Sequence, residues 1–241
     1  MEQKQFLETC IGLFAENQMT CTEEQAKQLH RLTERMLEVN QSMNLTAITD
    51  EKTVILRHYV DSLTVSAYIP QGATVIDVGC GAGFPSLPLA IFRPDLQITA
   101  LDGTAKRITY VRETATLLGL KNLTAIAGRA EELGMDAIYR EQFDVVTARA
   151  VASLPVLCEL CLPFAKVGGQ MIAMKAQQAD DELKLAQNCI RLCGGDAPKA
   201  LSCSLSDGKT VEQRKLILIP KQTEMPKKYP RHFSKISKKP L

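Results

Sequence analysis

Residues 75–84 read Val-Ile-Asp-Val-Gly-Cys-Gly-Ala-Gly-Phe, an apolar segment with one acid that is followed by three alternate glycines. The apolar half predicts a buried strand. Gly79, Gly81 and Gly83 predict a loop in which a ligand contacts bare backbone, because glycine adopts positive φ easily and has no Cβ to hold a ligand away. The stretch therefore predicts a strand that ends in a nucleotide cofactor site.

The glycine spacing separates two kinds of cofactor loop. A dinucleotide loop has a small residue at the sixth position of G-x-G-x-x-G, and Phe84 occupies that position here. Gly83 instead gives D-x-G-x-G-x-G, the pattern of proteins that bind S-adenosylmethionine, and Asp77 suits the cationic end of that ligand, directly or through water. A phosphate loop needs a lysine after its last glycine, and none follows Gly83. The glycines alone also fit an ordinary turn between a strand and a helix.

A second acid supports the cofactor site. Residues 97–102 predict another strand, and Asp102 at its end lies 19 residues after Gly83. A carboxylate about 20 residues beyond a glycine loop, at the tip of the neighbouring strand, accepts hydrogen bonds from a ribose. Asp102 fits that role, although aspartate is also common in plain turns.

Strand and helix patterns alternate from residue 73 onward, which predicts an α/β fold with a doubly wound sheet. We expect a seven-stranded Rossmann-like sheet, with a Gly168-Gly169 turn before the fifth strand and the last two strands forming an antiparallel edge. The expected division is a helical extension over residues 1–70, a cofactor-binding domain over 71–220 and a basic tail over 221–241. The predicted strands cover residues 75–78, 97–102, 123–127, 143–146, 170–175, 201–205 and 215–219.

The N-terminal third carries two helix signals. A capping box at Thr22 and Gln25 precedes an apolar face that predicts a helix over residues 22–40. Asp50 is expected to cap a second helix.

In that second helix, Arg57 and Asp61 are spaced to pair at i,i+4, beside a polar stripe of His58 and Ser62. His58 fits either a solvated histidine or a functional one that titrates near neutral pH.

Composition limits the possible classes of protein. With 241 residues, 45% of them hydrophobic, the chain is long enough to bury one substantial core. Neither a signal peptide nor a membrane-spanning helix is predicted, so we expect a cytoplasmic protein. The eight cysteines are then expected to stay reduced. Cys158 and Cys161, with Cys189 and Cys193, have part of a zinc pattern, but their apolar helical context favours burial, and no metal is predicted.

Positive charge is concentrated at the C-terminal end. Residues 221–241 contain seven basic residues and one acid, a net of +6, whereas the whole chain is +2 and residues 1–220 are therefore net −4. Tyr229 and Phe233 lie between the basic residues and are able to stack on bases. The tail therefore favours a nucleic-acid partner, with a merely solubilising tail as the alternative.

Several motifs stand in order along the chain. They are Met43-Asn44-Leu45-Thr46, Arg57-His58-x-x-Asp61-Ser62, residues 77–85, Lys106-Arg107, Thr147-Ala148-Arg149-Ala150 and Lys227-Lys228-Tyr229-Pro230-Arg231. Together they resemble the RsmG family, also called GidB. The resemblance implies an S-adenosylmethionine-dependent class I methyltransferase that modifies N7 of a guanine in 16S ribosomal RNA, free or in the small ribosomal subunit, and a monomer is expected.

The resemblance also implies site residues. Two positions depart from the family pattern: Gly103 stands where relatives commonly have serine, and the ending from His232 onward differs. No catalytic base is expected. The implied cofactor contacts are Gly79, Phe84, Ala130, Glu131 and Arg149. The glycine stretch adds Asp77, Gly81 and Gly83, and the end of the next strand adds Asp102. From their charge and position, the candidate RNA contacts are cations that would hold phosphates or O6 in place of N7, together with one histidine: His58, Lys106, Arg107, Arg149, Lys175, Lys227, Lys228 and Arg231.

Three other functions remain open from the sequence. One is a methyltransferase of small molecules whose tail serves solubility alone. Another is an RNA-binding factor without catalytic activity. A nicotinamide-dependent dehydrogenase is disfavoured by Phe84.

Overall fold

A computed structural model of the chain describes residues 1–176 and 179–241. Its strands form one seven-stranded sheet with the order β3-β2-β1-β4-β5-β7-β6. The pairings of β1 to β5 are parallel, and β7 runs antiparallel to both of its neighbours. The predicted doubly wound sheet with an antiparallel edge is thus confirmed. The strands are β1 (Thr74–Val78), β2 (Gln97–Asp102), β3 (Leu123–Ala127), β4 (Phe143–Arg149), β5 (Ala165–Lys175), β6 (Lys199–Ser206) and β7 (Val211–Pro220).

Helices cover both faces of the sheet. Side chains alternate between the faces along each strand, so that Val75 belongs to one apolar core and Ile76 to the other. The first core contains the N-terminal helices with α5 and α6, and the second contains α8, α9 and α10. The α-helices are α1 (Gln3–Glu16), α2 (Glu23–Met43), α3 (Glu51–Val54), α4 (Asp61–Leu63), α5 (Ser86–Phe92), α6 (Ala105–Leu117), α7 (Ala130–Leu133), α8 (Leu154–Cys161), α9 (Ala179–Leu192) and α10 (Phe233–Lys238).

The predicted helix starts are confirmed. The Gln25 amide donates to the Thr22 hydroxyl at 3.2 Å, and the Thr22 amide donates back to the Gln25 side chain at 2.9 Å. The Asp50 carboxylate accepts the Thr53 amide at 2.9 Å and so caps α3.

The predicted ion pair between Arg57 and Asp61 is wrong. Residues Ile55–Val60 form a π-helical turn, in which the four-residue spacing of an α-helix no longer aligns side chains. Arg57 pairs with Glu212 at 2.6 Å, and Asp61 pairs with Arg149 at 3.0 Å and with Arg214 at 3.3 Å. These partners come from distant strands, so only tertiary packing selects them.

The predicted Gly168-Gly169 turn before the fifth strand is also wrong. Both glycines lie inside β5, which starts at Ala165. A Cβ on Gly169 would lie 2.6 Å from the Asp144 carbonyl oxygen, and the register between β4 and β5 shifts at this point. Gly169 therefore permits close approach of two strands, and Gly168 takes a positive φ of 85° within β5.

The basic tail packs on the second core instead of extending into solvent. Lys221 is 1% exposed and its ammonium donates to the carbonyls of Leu162 and Cys193 at 2.9 and 3.2 Å. Tyr229 and Ile236 are buried as well. Because Tyr229 is buried, its ring is not available to stack on bases in this structure. The charge count along the sequence treats Lys221 as free and does not show its burial.

Within the described residues, no helix is both long and apolar enough to span a bilayer. Over the same ranges, no cluster of three or more histidine, cysteine or acidic side chains is arranged to hold a metal ion.

Candidate functional site

The loop after β1 has the backbone that its glycines predict. Gly79, Gly81 and Gly83 have φ of 75°, 58° and 86°, in the left-handed region that favours glycine. A Cβ on Gly79 would lie 2.6 Å from the Val151 side chain. The Gly79 and Cys80 amides donate to the Leu101 carbonyl at 2.8 and 3.0 Å, so the loop is fastened to the end of β2.

Asp102 joins the two strand ends. Its carboxylate accepts the Gly81 amide at 3.0 Å with one oxygen and the Thr104 amide at 2.8 Å with the other. Each oxygen retains a lone pair for a further donor. The side chain lines a cavity, so the sequence-predicted acceptor is at the place where a ligand hydroxyl could reach it.

Asp77 lies beneath the loop. It is fully buried, and it accepts hydrogen bonds from the amide and hydroxyl of Ser86 and from the Thr147 hydroxyl. Burial raises the pKa of its carboxyl to about 6 against the lowering effect of these donors. Asp77 therefore links β1, β4 and the start of α5, and its direct contact with a cofactor stays a prediction.

A cavity next to this loop, here called the loop cavity, has a volume of about 270 Å³. Four sequence-predicted cofactor residues line it together. Gly79 follows β1, Asp102 ends β2, and Ala130 and Glu131 follow β3. Ala130 and Glu131 come from the first turn of α7. The wall consists of Val78, Gly79, Leu101, Asp102, Gly103, Thr104, Gly128, Arg129, Ala130, Glu131, Val151, Ala152, Leu160 and Phe233.

The second cavity, here called the cationic cavity, has a volume of about 510 Å³. Five cationic side chains and two carboxylates line it, and each cation is paired with a carboxylate, Arg57 with Glu212 and Lys215 with Asp180. These five cations and four carboxylates leave one excess positive charge, which favours an anionic or electron-rich ligand. Arg149 and Ala150 line this cavity, whereas the next residues, Val151 and Ala152, line the loop cavity. The charged wall consists of Arg57, Asp61, Arg149, Lys175, Glu182, Arg214 and Lys215.

Phe84 supports two side chains of the cationic cavity. The His58 ring stacks on it with centroids 4.6 Å apart, and the Arg149 guanidinium lies 5.3 Å from its centroid. Phe84 itself is 4% exposed. Burial, reinforced by the charge of Arg149, lowers the pKa of His58 to about 4, so this imidazole is neutral at pH 7.

Lys175 holds the segment that divides the cavities. Its ammonium donates to the Ala152 carbonyl at 2.6 Å and to Glu182 at 2.7 Å, and Glu182 also accepts the Leu154 amide at 2.6 Å. Lys175 is therefore a positioning residue in this structure, and a contact with RNA stays a prediction.

The remaining basic residues predicted to contact RNA differ in exposure and in their contacts within the protein. Lys106, Lys227 and Lys228 are exposed. Arg107 lies 3.9 Å from Asp102 at the start of α6. The Arg231 guanidinium forms an ion pair with the fully buried Glu159 at 2.6 Å. In this structure its charge is therefore neutralised within the protein.

Sequence reasoning missed several residues of the two cavities. Asp61 and Arg214 are bound to each other in the wall of the cationic cavity, and Arg129 and Phe233 meet at the loop cavity. Asp61 belongs to the motif Arg57-His58-x-x-Asp61-Ser62, which could have marked it as a site residue. Phe233 lies 131 residues after Asp102, and no sequence pattern near it indicates a place in the cofactor site.

Comparisons with known proteins show the family and the fold of the chain. Residues 25–214 match the family model GidB, described as rRNA small subunit methyltransferase G. A Ribosomal RNA small subunit methyltransferase G of Leuconostoc citreum is 44% identical over 98% of this chain and 99% of its own length. One of an Exiguobacterium species is 45% identical over the full length of both. A SAM-dependent O-methyltransferase structure from Thermotoga maritima shares the fold, with a TM-score of 0.54 and 14% identity over 79% of this chain and 72% of that one.

Proposed function

The chain belongs to the GidB family, rRNA small subunit methyltransferase G, and we propose that it transfers the methyl group of S-adenosylmethionine to N7 of a guanine in 16S ribosomal RNA. The observation that carries this proposal is the pair of neighbouring cavities, whose walls share the segment 149–152. One cavity fits the donor, and its cationic neighbour fits the acceptor. Such an enzyme would work in the cytoplasm, where small ribosomal subunits are assembled.

The loop cavity fits S-adenosylmethionine. Asp102 has lone pairs for the ribose hydroxyls, and Gly79 offers bare backbone where a Cβ has no room. Ala130 and Glu131 border the cavity from α7 and suit the adenine. When bound, the donor supplies a methyl group on a positively charged sulfur.

The reaction requires positioning more than proton transfer. N7 of guanine has an unprotonated lone pair at neutral pH, so it attacks the methyl carbon directly while the bond from that carbon to sulfur breaks. Positive charge passes from sulfur to the guanine, and no proton moves. Holding the two reactants in line is worth up to about 7 to 11 kcal/mol in ideal cases. The neutral His58 is therefore not needed as a base.

The cationic cavity suits a nucleotide acceptor. Arg149 and Arg214 both bind the Asp61 carboxylate, which fixes their guanidinium groups at the wall. Guanidinium groups bind phosphate and the O6 edge of guanine, and the carboxylate favours a base that becomes cationic. Because the deep major groove of A-form RNA hides N7, the target is expected in an unpaired segment.

The reaction is tested with the purified protein, labelled donor and small ribosomal subunits from cells that lack this modification. We expect label in 16S RNA, and cleavage of the RNA after borohydride and aniline treatment at a single guanine, because that treatment cuts at N7-methylguanine. Label on another atom or base, or no label in RNA, would contradict the proposed target.

Variants of exposed lysines test whether the substrate is RNA or a small molecule. Deleting residues 221–241 is unsuitable for this purpose, since the deletion removes the buried Lys221. We expect joint replacement of Lys227 and Lys228 by alanine to raise the KM for RNA and reduce its salt dependence, with unchanged affinity for S-adenosylmethionine. Lys184→Ala on α9 is the matched control. An unchanged KM for RNA would show that these lysines do not contact it.

A further inference from the structure

The C-terminal helix reaches the loop cavity. Phe233, the first residue of α10, lines the cavity beside residues from β1, β2 and α7. The guanidinium carbon of Arg129 lies 5.0 Å from the centroid of the Phe233 ring. Arg129 directly precedes α7, and Phe233 belongs to the C-terminal segment, so the two side chains meet at this cavity from distant parts of the chain.

The half-exposed Arg129 side chain is positioned at the cavity by its neighbours. A Cβ on Gly103 would lie 3.5 Å from Cδ and 3.5 Å from Nη1 of Arg129, so the side chain passes directly over this glycine. Its Nε donates to a Glu131 carboxylate oxygen at 3.3 Å. Arg129 therefore has contacts on three sides before any ligand is present.

The segment that carries Phe233 is also anchored by contacts within the protein. The His232 side chain accepts the Ser234 amide at 3.3 Å at the start of α10, and Ile236 one turn later is fully buried. Arg231, two residues before Phe233, binds the buried Glu159 through its backbone amide and its guanidinium. The ring thus stands on an anchored segment, which a ligand-contacting group requires.

We propose that Arg129 and Phe233, stacked on each other, form one wall of the adenine site, here called the adenine clamp. The base of the bound donor packs against this pair, so that the C-terminal helix is a working part of the cofactor site. A phenyl ring and a guanidinium plane can each stack on a purine. Stacking of a base on an aromatic side chain contributes about 1 to 3 kcal/mol. The positive sulfur belongs to the opposite end of the donor, away from Arg129. The inference rests on S-adenosylmethionine as donor and not on the identity of the methylated base.

Binding measurements test the clamp without turnover. By isothermal titration with S-adenosylhomocysteine and with adenosine, we expect Phe233→Ala to weaken both by about tenfold or more. Phe233→Leu keeps apolar volume without an aromatic face and should retain folding while still losing affinity. Lys235→Ala, exposed on the same helix, is the matched control and should remain within about twofold.

Hydrogen exchange supplies an independent readout. In the wild type, amides of α10 should exchange more slowly when S-adenosylhomocysteine is bound, and Arg129→Gln should reduce this protection. Unchanged affinity in both Phe233 variants, or identical exchange of α10 with and without ligand, would overturn the clamp. A wild type that binds neither S-adenosylhomocysteine nor S-adenosylmethionine would overturn the donor assignment and the clamp together, which separates that failure from failure of the clamp alone.

Discussion

Removing the Arg231 guanidinium should strongly destabilise the protein. Glu159 is 0% exposed, and its two oxygens accept the Arg231 amide at 2.8 Å, Nε at 2.9 and 3.2 Å, and Nη2 at 2.6 Å. In Arg231→Ala only the amide contact remains for a buried carboxylate. Breaking a buried pair on one side costs about 3 to 5 kcal/mol, a large share of the roughly 5 to 15 kcal/mol that stabilise a folded domain.

Urea unfolding at pH 7, followed by far-ultraviolet circular dichroism, measures this loss. Lys228→Ala, an exposed charge nearby, is the control and should change the free energy of unfolding by no more than about 0.5 kcal/mol. The double variant Arg231→Met with Glu159→Leu should recover most of the stability, because an apolar pair of similar volume often replaces a buried ion pair without loss. A loss under about 1 kcal/mol in Arg231→Ala would refute the anchoring role and return Arg231 to the candidates for RNA binding.

Three further predictions concern the site. Gly83→Ala should unfold at lower temperature than Gly72→Ala in calorimetry, because both have positive φ but only a Cβ at Gly83 meets a side chain, Leu87 at 2.5 Å; equal losses would contradict this. Asp102→Asn should weaken S-adenosylhomocysteine about 10- to 100-fold in titration calorimetry, since it loses charge-assisted hydrogen bonds, and a change under twofold would exclude the ribose role. His58→Gln should flatten the fall in stability as the pH drops from 6.5 to 4, because the unfolded chain binds a proton there that the folded histidine, with its pKa lowered to about 4 by burial, does not; the difference from wild type should reach about 3 kcal/mol. The raised pKa of Asp77 acts in the opposite direction over the lower part of this range and is common to both proteins, so an unchanged pH profile in the variant would show that His58 is not held neutral.

Local patterns sufficed for the elements that form the cofactor loop. The alternate glycines after residues 75–78, and the acid at the end of the next strand, describe a backbone shape and a neighbouring strand end, and both depend on short-range geometry. Helix starts at Thr22 and Asp50 depend on hydrogen bonds three residues apart, and they were predictable for the same reason.

Partners of charged side chains were not predictable in this way. Arg57, Asp61 and Arg231 were each assigned from sequence spacing or net charge, and each binds a residue at least 70 positions away. An exposed charge and a buried one have the same letter in a sequence, and only the packing of α8 against the C-terminal segment decides that Arg231 meets Glu159.

The sequence by itself determined the kind of fold, the cofactor loop and its acidic partner, because these follow from periodicity and from the conformational freedom of glycine. Only the tertiary structure decided which side chains enclose the two cavities, because residues such as Phe233 and Asp102 come together when the chain has wound both faces of the sheet, and no local preference encodes that meeting.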